Sequence, residues 1–463
     1  MMNWRDLQYI LKDFVVRSLL PVRLLALLVG YLVDFVSWWQ LNILGNPFNS
    51  FSIRCRFLRY LSLGGGDLYR YFFSRWVEKF WTNISSENQR KNIILSSFSQ
   101  TMVAKAFRKE FVQYGQSNEL RLRYPKKNDL PQRQGDLLVL KPFVGPQEKG
   151  VLFIQYNDSF KKLAAIYDIE RLAEKYRFVL EPSTWGYQDV VFMLFNGLPT
   201  DVVVEAQYAP DYDYINSLQS NLVPIRLGAG DWVDFNLFKK IPDEEKLFDL
   251  IMVASWQKLK RHDLLFQALS KIKNKIGKIA LVGYPAGGRS LCDVQKDAMG
   301  YDVHRLIDYF EQIPPSKVAK LVSQSRASIM LSKREGANKG IYESFFCDVP
   351  VILTSENVGV NREHINDSTG VLAPDSNLSE SILEILQDHK QFSPREWAIT
   401  HTGYVESTKK MNAFLQKKAV GCGEIWTNDI FFKKNCTNAM YVYEHDRLIA
   451  DLEFEKLEHF VRR

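Results

Sequence analysis

From residue 137 onward, short apolar runs alternate with amphipathic stretches, and no other feature limits the fold of this chain as strongly. Residues 137–140, 151–154, 178–180, 202–204 and 222–227 read as buried strands, with helices expected over 158–176 and 215–218. A second series follows, with strands at 250–253, 278–283, 327–331 and 349–353 and helices over 263–272, 303–309, 316–324 and 339–346. Strands that alternate with helices make parallel β-α-β units. Two such series joined near residues 235–245 predict an α/β protein of two Rossmann-like lobes, 134–240 and 241–390, facing a central cleft. Residues 391–463 read as a helical tail, with helices expected at 400–419 and 446–461. In folds of this kind ligands bind outside the carboxyl ends of the strands.

Residues 1–133 have a different texture. The chain's net charge is +7, yet this segment alone holds 20 Lys/Arg against 9 Asp/Glu, which leaves 40 against 44 for the other 330 residues. Residues 3–20 have amphipathic helical periodicity, with Trp4, Leu7, Leu11, Phe14, Val15 and Leu19 on one face. Residues 24–44 form a 21-residue apolar span interrupted by Asp34. The span is long enough to cross a bilayer, but Asp34 near its middle costs about 2.5–3.5 kcal/mol on insertion scales. A helix lying in the headgroup region and a buried helix of a soluble domain are the other two readings. Between residues 54 and 79, six basic residues interleave with aromatics. Such a surface suits lipid headgroups or single-stranded nucleic acid; no nucleic-acid signature accompanies it, so an anionic membrane surface contacted through residues 1–80 is the expected partner. Residues 116–135 read as a linker. A composition of 46% hydrophobic and 24% charged residues excludes wholesale disorder and fibrous architectures. The five cysteines are odd in number and lack C-x-x-C spacing, which argues against a disulfide framework or thiolate zinc site. A cytoplasmic protein, peripheral at the inner face of the cytoplasmic membrane, is expected, and no cluster of metal ligands is visible.

The chemistry concentrates in residues 332–350, SKREGANKGIYESFFCDVP. A strand ending at Leu331 delivers Glu335 and Gly336 to the crevice on a loop, and a helix starting near Asn338 carries Glu343 on its first turns. The glycine lets backbone N–H groups approach a ligand, and the helix N-terminus favours phosphate. A carboxylate at Glu343 can accept two vicinal hydroxyls, the receptor a ribose needs, and Glu335 can hold hydroxyls of a transferred sugar.

These residues resemble a known family. Residues 224–390 are similar to the C-terminal half of a retaining GT-B glycosyltransferase of the family 4 type (glycosyl transferases group 1). Glu335 and Glu343 fit its E-x7-E motif, and residues 344–352 its following "EAMACGxPVV" run. Val358-Gly359-Val360, Glu363 and Thr369-Gly370-Val371-Leu372 fit its next conserved stretch, while residues 233–238 and Leu281-Val282-Gly283 fit segments upstream. The resemblance implies that Glu343 binds the nucleotide ribose, that Glu335 contacts the donor sugar as a catalytic residue, and that Gly336, Ala337, Asn338 and Lys339 line the donor pocket. Ile313 would meet the base and Lys260 the diphosphate, and the C-terminal tail 391–463 would return through its helix at 446–461 to brace the lobes. The family's arginine falls on Ser255 or Trp256 and is absent, so Arg261 or Lys339 is the expected substitute. No histidine precedes residue 260, so the family's acceptor-side histidine is absent too, and Asp158, Glu181 and Glu205, at predicted strand ends, become candidates for a general base. The implied activity is retaining, metal-independent sugar transfer in envelope or exported-polysaccharide or glycoconjugate synthesis. It needs no cofactor beyond a nucleotide-sugar donor and a saccharide or lipid-linked acceptor. A non-catalytic nucleotide-sugar-binding protein and a nucleotide-sugar epimerase of the same fold are the alternatives.

Overall fold

The computed structural model describes residues 137–461, apart from 184–186, 188–189, 337 and 436–438. The chain divides into two compact units, Met1–Val103 and Ala104–Arg463, and both lobes lie in the second. The expected helix 3–20, the span 24–44 and the basic-aromatic stretch all fall outside the described residues. Among the described residues no helix is long and apolar enough to cross a membrane.

The first lobe is a five-stranded sheet in the order β1-β2-β3-β4-β5, comprising Leu137–Lys141, Gly150–Gln155, Tyr176–Glu181, Val202–Glu205 and Leu222–Ile225. Only β1 runs antiparallel to its neighbour. Strands β1 to β4 are buried along their whole length, as continuous apolar runs require. Helices α1 (Asn157–Ile166) and α2 (Ile169–Lys175) connect β2 to β3, a short 3-10 turn at Val190–Leu194 lies between β3 and β4, and α3 (Ala209–Ser217) connects β4 to β5. The single helix expected over 158–176 is two helices. Tyr167 is extended, Asp168 restarts the chain by accepting the Arg171 N–H at 3.3 Å, and β3 begins two residues earlier than expected.

The second lobe runs β6 (Phe248–Val253), α4 (His262–Ile272), β7 (Ile279–Gly283), α5 (Leu291–Gly300), β8 (Ile307–Glu311), α6 (Pro315–Ser323), β9 (Ser325–Met330), α7 (Lys339–Phe346), β10 (Val351–Thr354), β11 (Gly370–Ala373) and α8 (Leu378–Asp388). Its sheet order is β11-β10-β9-β6-β7-β8, with every pair parallel. This is the doubly wound order, and its switch point lies between β6 and β9, where the strand succession reverses. Alternate residues of each strand feed two cores: Leu250, Met252 and Leu281 join one with Leu265 and Ile382, while Ile251, Ala280 and Val282 join the other with Ile341 and Phe345.

Residues 303–309 are not the expected helix. A turn at His304–Leu306 leads directly into β8, an edge strand. Ile307 and Tyr309 pack on one core and Phe310 on the other, an alternation of two that neighbouring apolar residues disguise as helical spacing.

In the tail, the helix expected over 400–419 breaks into α9 (Pro394–His401) and α10 (Gly403–Gly421). Gly403 holds φ 85°, and a Cβ there would stand 2.7 Å from the Phe346 ring. The remainder is a two-stranded hairpin, β12 (Lys433–Asn435) and β13 (Ala439–Tyr441), followed by α11 (Glu444–Leu457). Helix α11 packs on the first lobe, where Glu453 accepts the Phe143 N–H at 2.9 Å and the Tyr176 hydroxyl at 2.5 Å.

Candidate functional site

The loops that leave β6 and β9 meet at the switch point. After β9 the chain does not enter α7 at once. Residues 332–338 form a loop held against residues 357–359: the Glu335 N–H donates to Val358 O at 3.0 Å, the Val358 N–H to Lys333 O at 2.7 Å, and the Asn357 amide to Ser332 O at 2.7 Å. Gly359 has φ 108°, and a Cβ there would lie 1.7 Å from the Glu335 carbonyl oxygen, so only glycine lets the two segments approach this closely. Asn338 caps α7 by accepting the Gly340 N–H at 3.0 Å. Helix α7 spans the residues expected of it and carries Glu343 on its second turn.

Glu343 is partly exposed, yet burial raises its carboxyl above the usual range, with Lys339 opposing that rise. Across the switch point, Lys260 forms an ion pair with Glu335, both side chains being more than four-fifths buried. A cation expected to meet phosphate and a carboxylate expected to meet a sugar are therefore in direct contact. Ile313, just after β8, is half-buried against the core that contains Ile341 and Tyr342. From the first lobe, Gln207 donates its amide N–H to Gly359 O at 3.1 Å and to Gly336 O at 3.4 Å. The switch-point loop thus faces the carboxyl end of β4.

The other expected site residues have different surroundings. Trp256 is fully buried; its indole N–H donates to Glu311 at 2.6 Å and its ring lies against Gly283, where a Cβ would come within 2.6 Å. It fills core space and brings no charge, and its neighbour Ser255 is also buried. Arg261 forks onto Asp375, with one contact at 3.1 Å, and also donates to Leu331 O at 3.1 Å. Its charge is already balanced and it ties the β6 loop to the segment after β11. Glu181 and Glu205 are 2% and 0% exposed. Gln155 donates to Glu181 at 2.5 Å and the Trp232 indole to Glu205 at 3.1 Å, so both carboxylates are enclosed and already bonded rather than open to an acceptor hydroxyl. Asp158 lies in the first turn of α1, and Ala337 falls outside the described residues. Asp375 and Gln207 escaped the sequence reading, because each acts on a partner more than a hundred residues away in sequence.

His262, the first residue of α4, is 1% exposed between the rings of Trp256 and Phe266, and neither ring nitrogen has a partner among the described residues. Burial first, then the Arg289 and Lys260 charges, lower its pKa to about 4. A histidine that titrates lower when folded stabilises fully above its unfolded value near 6.5, and that stability is lost as pH falls towards 4. The loss between pH 7 and pH 5 is expected to be about 2 kcal/mol. His262→Phe should abolish it and match or exceed the wild type at pH 7, since the orphaned nitrogens go. Urea unfolding at the two pH values checks both statements.

Residues 234–397 match the family model described as "Glycosyl transferases group 1". The match contains the β6 loop, the E-x7-E segment and Asp375. No curated protein matches the chain. Solved structures similar to it include sucrose-phosphate synthase from Thermosynechococcus elongatus, at 16% identity over 58% of this chain and 74% of that one with a TM-score of 0.45. HepE of Anabaena in complex with UDP-glucose aligns at 13% identity over 57% and 78%, TM-score 0.45. A glycosyltransferase from Rickettsia africae aligns at 16% over 57% and 74%, TM-score 0.43. The two lobes on mainly parallel sheets are the α/β arrangement expected from the sequence.

Proposed function

We propose that this protein transfers a sugar from a nucleoside diphosphate sugar to an acceptor hydroxyl. The observation that carries this reading is the joining of Lys260, Glu335 and the start of the Glu343 helix at one switch point, inside the stretch that matches the family model. In the proposed complex Glu343 accepts the ribose hydroxyls, Ile313 borders the base, and Glu335 turns to the hydroxyls of the donor sugar. Lys260 and the backbone at Gly336–Lys339 meet the diphosphate. A carboxylate partly removed from water, as Glu343 is, makes stronger hydrogen bonds to hydroxyls than one in bulk solvent. As the bond to the leaving diphosphate breaks, charge grows on its oxygens, and a cation with a helix N-terminus is the preorganised counterpart. In this reading the transfer retains configuration at the donor sugar and uses no bound metal. We further propose a saccharide or lipid-linked acceptor, approached from an anionic membrane surface through residues 1–80, at the cytoplasmic side.

One observation favours a second reading, a nucleotide-sugar-binding protein without transfer. Two of the positions expected to supply phosphate-binding charge do not offer it: Trp256 occupies core space in place of an arginine, and Arg261 is committed to Asp375. One experiment separates the two. A panel of UDP-, GDP- and ADP-sugars is screened by thermal shift, and the stabilising donor is then incubated with candidate acceptors. Release of nucleoside diphosphate that depends on acceptor supports transfer. Stabilisation without release leaves the binding protein, and a panel that stabilises nothing overturns both.

A further inference from the structure

The hairpin β12–β13 carries a lysine into the interior of the first lobe. Lys433 is fully buried, with its ammonium 3.7 Å from the centre of the Trp232 ring, 4.1 Å from that of Phe153 and 3.7 Å from the Glu181 carboxylate. Glu205 reaches the same group through the Trp232 indole, which donates to both of its oxygens at 3.1 and 3.3 Å. Burial pushes the Glu205 carboxyl up and the Lys433 ammonium down, and each opposes the other's shift. The cation therefore holds the Trp232 ring between itself and a buried carboxylate.

Trp232 lies in the segment that joins the lobes, and β12 grips that segment at three further points. Asn435 donates to Ala229 O at 3.1 Å, Asn435 also bridges to Val233, and Lys434 pairs with Asp234 at 2.6 Å. The same segment also meets the helix that carries Glu343. A Cβ on Gly230 would stand 2.5 Å from the Tyr342 ring and 3.5 Å from the Asn338 carbonyl at the cap of α7. The linker thus touches both the hairpin and α7.

We infer that Lys433 is a positioning residue for the donor site: by pinning Trp232 to the first lobe it fixes the linker, and through the Gly230–Tyr342 contact it sets the seat of α7 and so of Glu343. The consequence for Glu343 rests on the proposed function; the mechanical coupling does not. Lys433→Met keeps the apolar stem and removes the charge, leaving Glu181 and Glu205 without their cation. Gly230→Ala attacks the other end of the linkage and leaves the buried charges alone.

The test is amide hydrogen exchange by mass spectrometry on the full chain, paired with titration of UDP and GDP. In both variants, exchange in peptides covering residues 229–234 and 339–346 should rise at least tenfold, and the nucleotide that wild type binds should bind at least tenfold more weakly. In Gly230→Ala, strands β2 to β4 should keep wild-type protection. A merely structural loss in that variant would speed exchange in β2 to β4 as well, and that pattern counts against the inference. Unchanged exchange in 339–346 in a folded variant overturns it. If Lys433→Met does not fold, Trp232→Phe, which removes the indole bond to Glu205 and leaves the buried charges in place, takes its role, and unchanged exchange in 339–346 in that variant overturns the inference. If wild type binds neither nucleotide, the proposed function fails while the exchange data still judge the linkage.

Discussion

Replacing Glu343 with alanine is expected to weaken binding of the cognate nucleoside diphosphate by about 100-fold without lowering thermal stability. A carboxylate that accepts two hydroxyls makes two charge-assisted hydrogen bonds, each contributing about 1.5–3 kcal/mol. Some of that is lost to desolvating the ribose, so about 3 kcal/mol is a fair net figure, at 1.4 kcal/mol per tenfold change. Stability should move the other way. Burial raises the carboxyl pKa of Glu343, with Lys339 opposing, so the folded state carries a cost for keeping it ionised at neutral pH. A carboxyl titrating higher when folded stabilises most at low pH and loses that contribution as pH rises through the raised value. Alanine removes the loss. Calorimetric titration and a melting curve on one preparation test both halves; a variant that melts well below the wild type would mark Glu343 as structural.

Glu335→Gln is expected to separate nucleotide binding from transfer. In the unliganded protein Glu335 neutralises Lys260, so an arriving diphosphate must compete with that carboxylate for the ammonium. Removing the competitor should tighten nucleoside diphosphate binding by roughly tenfold at most. Transfer should fall by at least 100-fold, since a carboxylate hydrogen-bonded to the donor sugar stabilises the developing positive charge and an amide does not. The loop should survive the change, because its shape depends on backbone bonds to Val358 and on Gly359 rather than on the Glu335 side chain. Weaker nucleotide binding in Glu335→Gln would place the Lys260 ammonium away from the diphosphate.

These expectations reach back to what could be read before the fold was known. The segment from β9 through α7 is readable because its determinants are local: a strand, a glycine loop, an Asn cap and an apolar helix follow one another between Ser325 and Phe346. The partners of its charges were not. Lys260 and Glu335 are 75 residues apart and Arg261 and Asp375 are 114 apart, so only the doubly wound sheet brings them together. Trp256 looked like a loop residue in place of a missing arginine, yet the strand end turns it inward beneath Gly283. The β12 sequence Lys-Lys-Asn carries no strand signal, and Lys433 is buried because the Phe153 ring and two carboxylates of the first lobe and the Trp232 ring of the linker surround it. Likewise the break at Gly403 answers to the Phe346 ring, a contact that helical periodicity cannot reveal.

A crystal structure with UDP or GDP bound, at the base that thermal shift selects, tests the central claim most directly. The expected result is a ribose whose vicinal hydroxyls lie within hydrogen-bond distance of the Glu343 carboxylate, with the diphosphate against Lys260 and the Gly336–Lys339 backbone, and Glu335 released from Lys260. A nucleotide seated elsewhere, or seated there with Glu343 making no contact and Lys260 still paired to Glu335, would contradict the account.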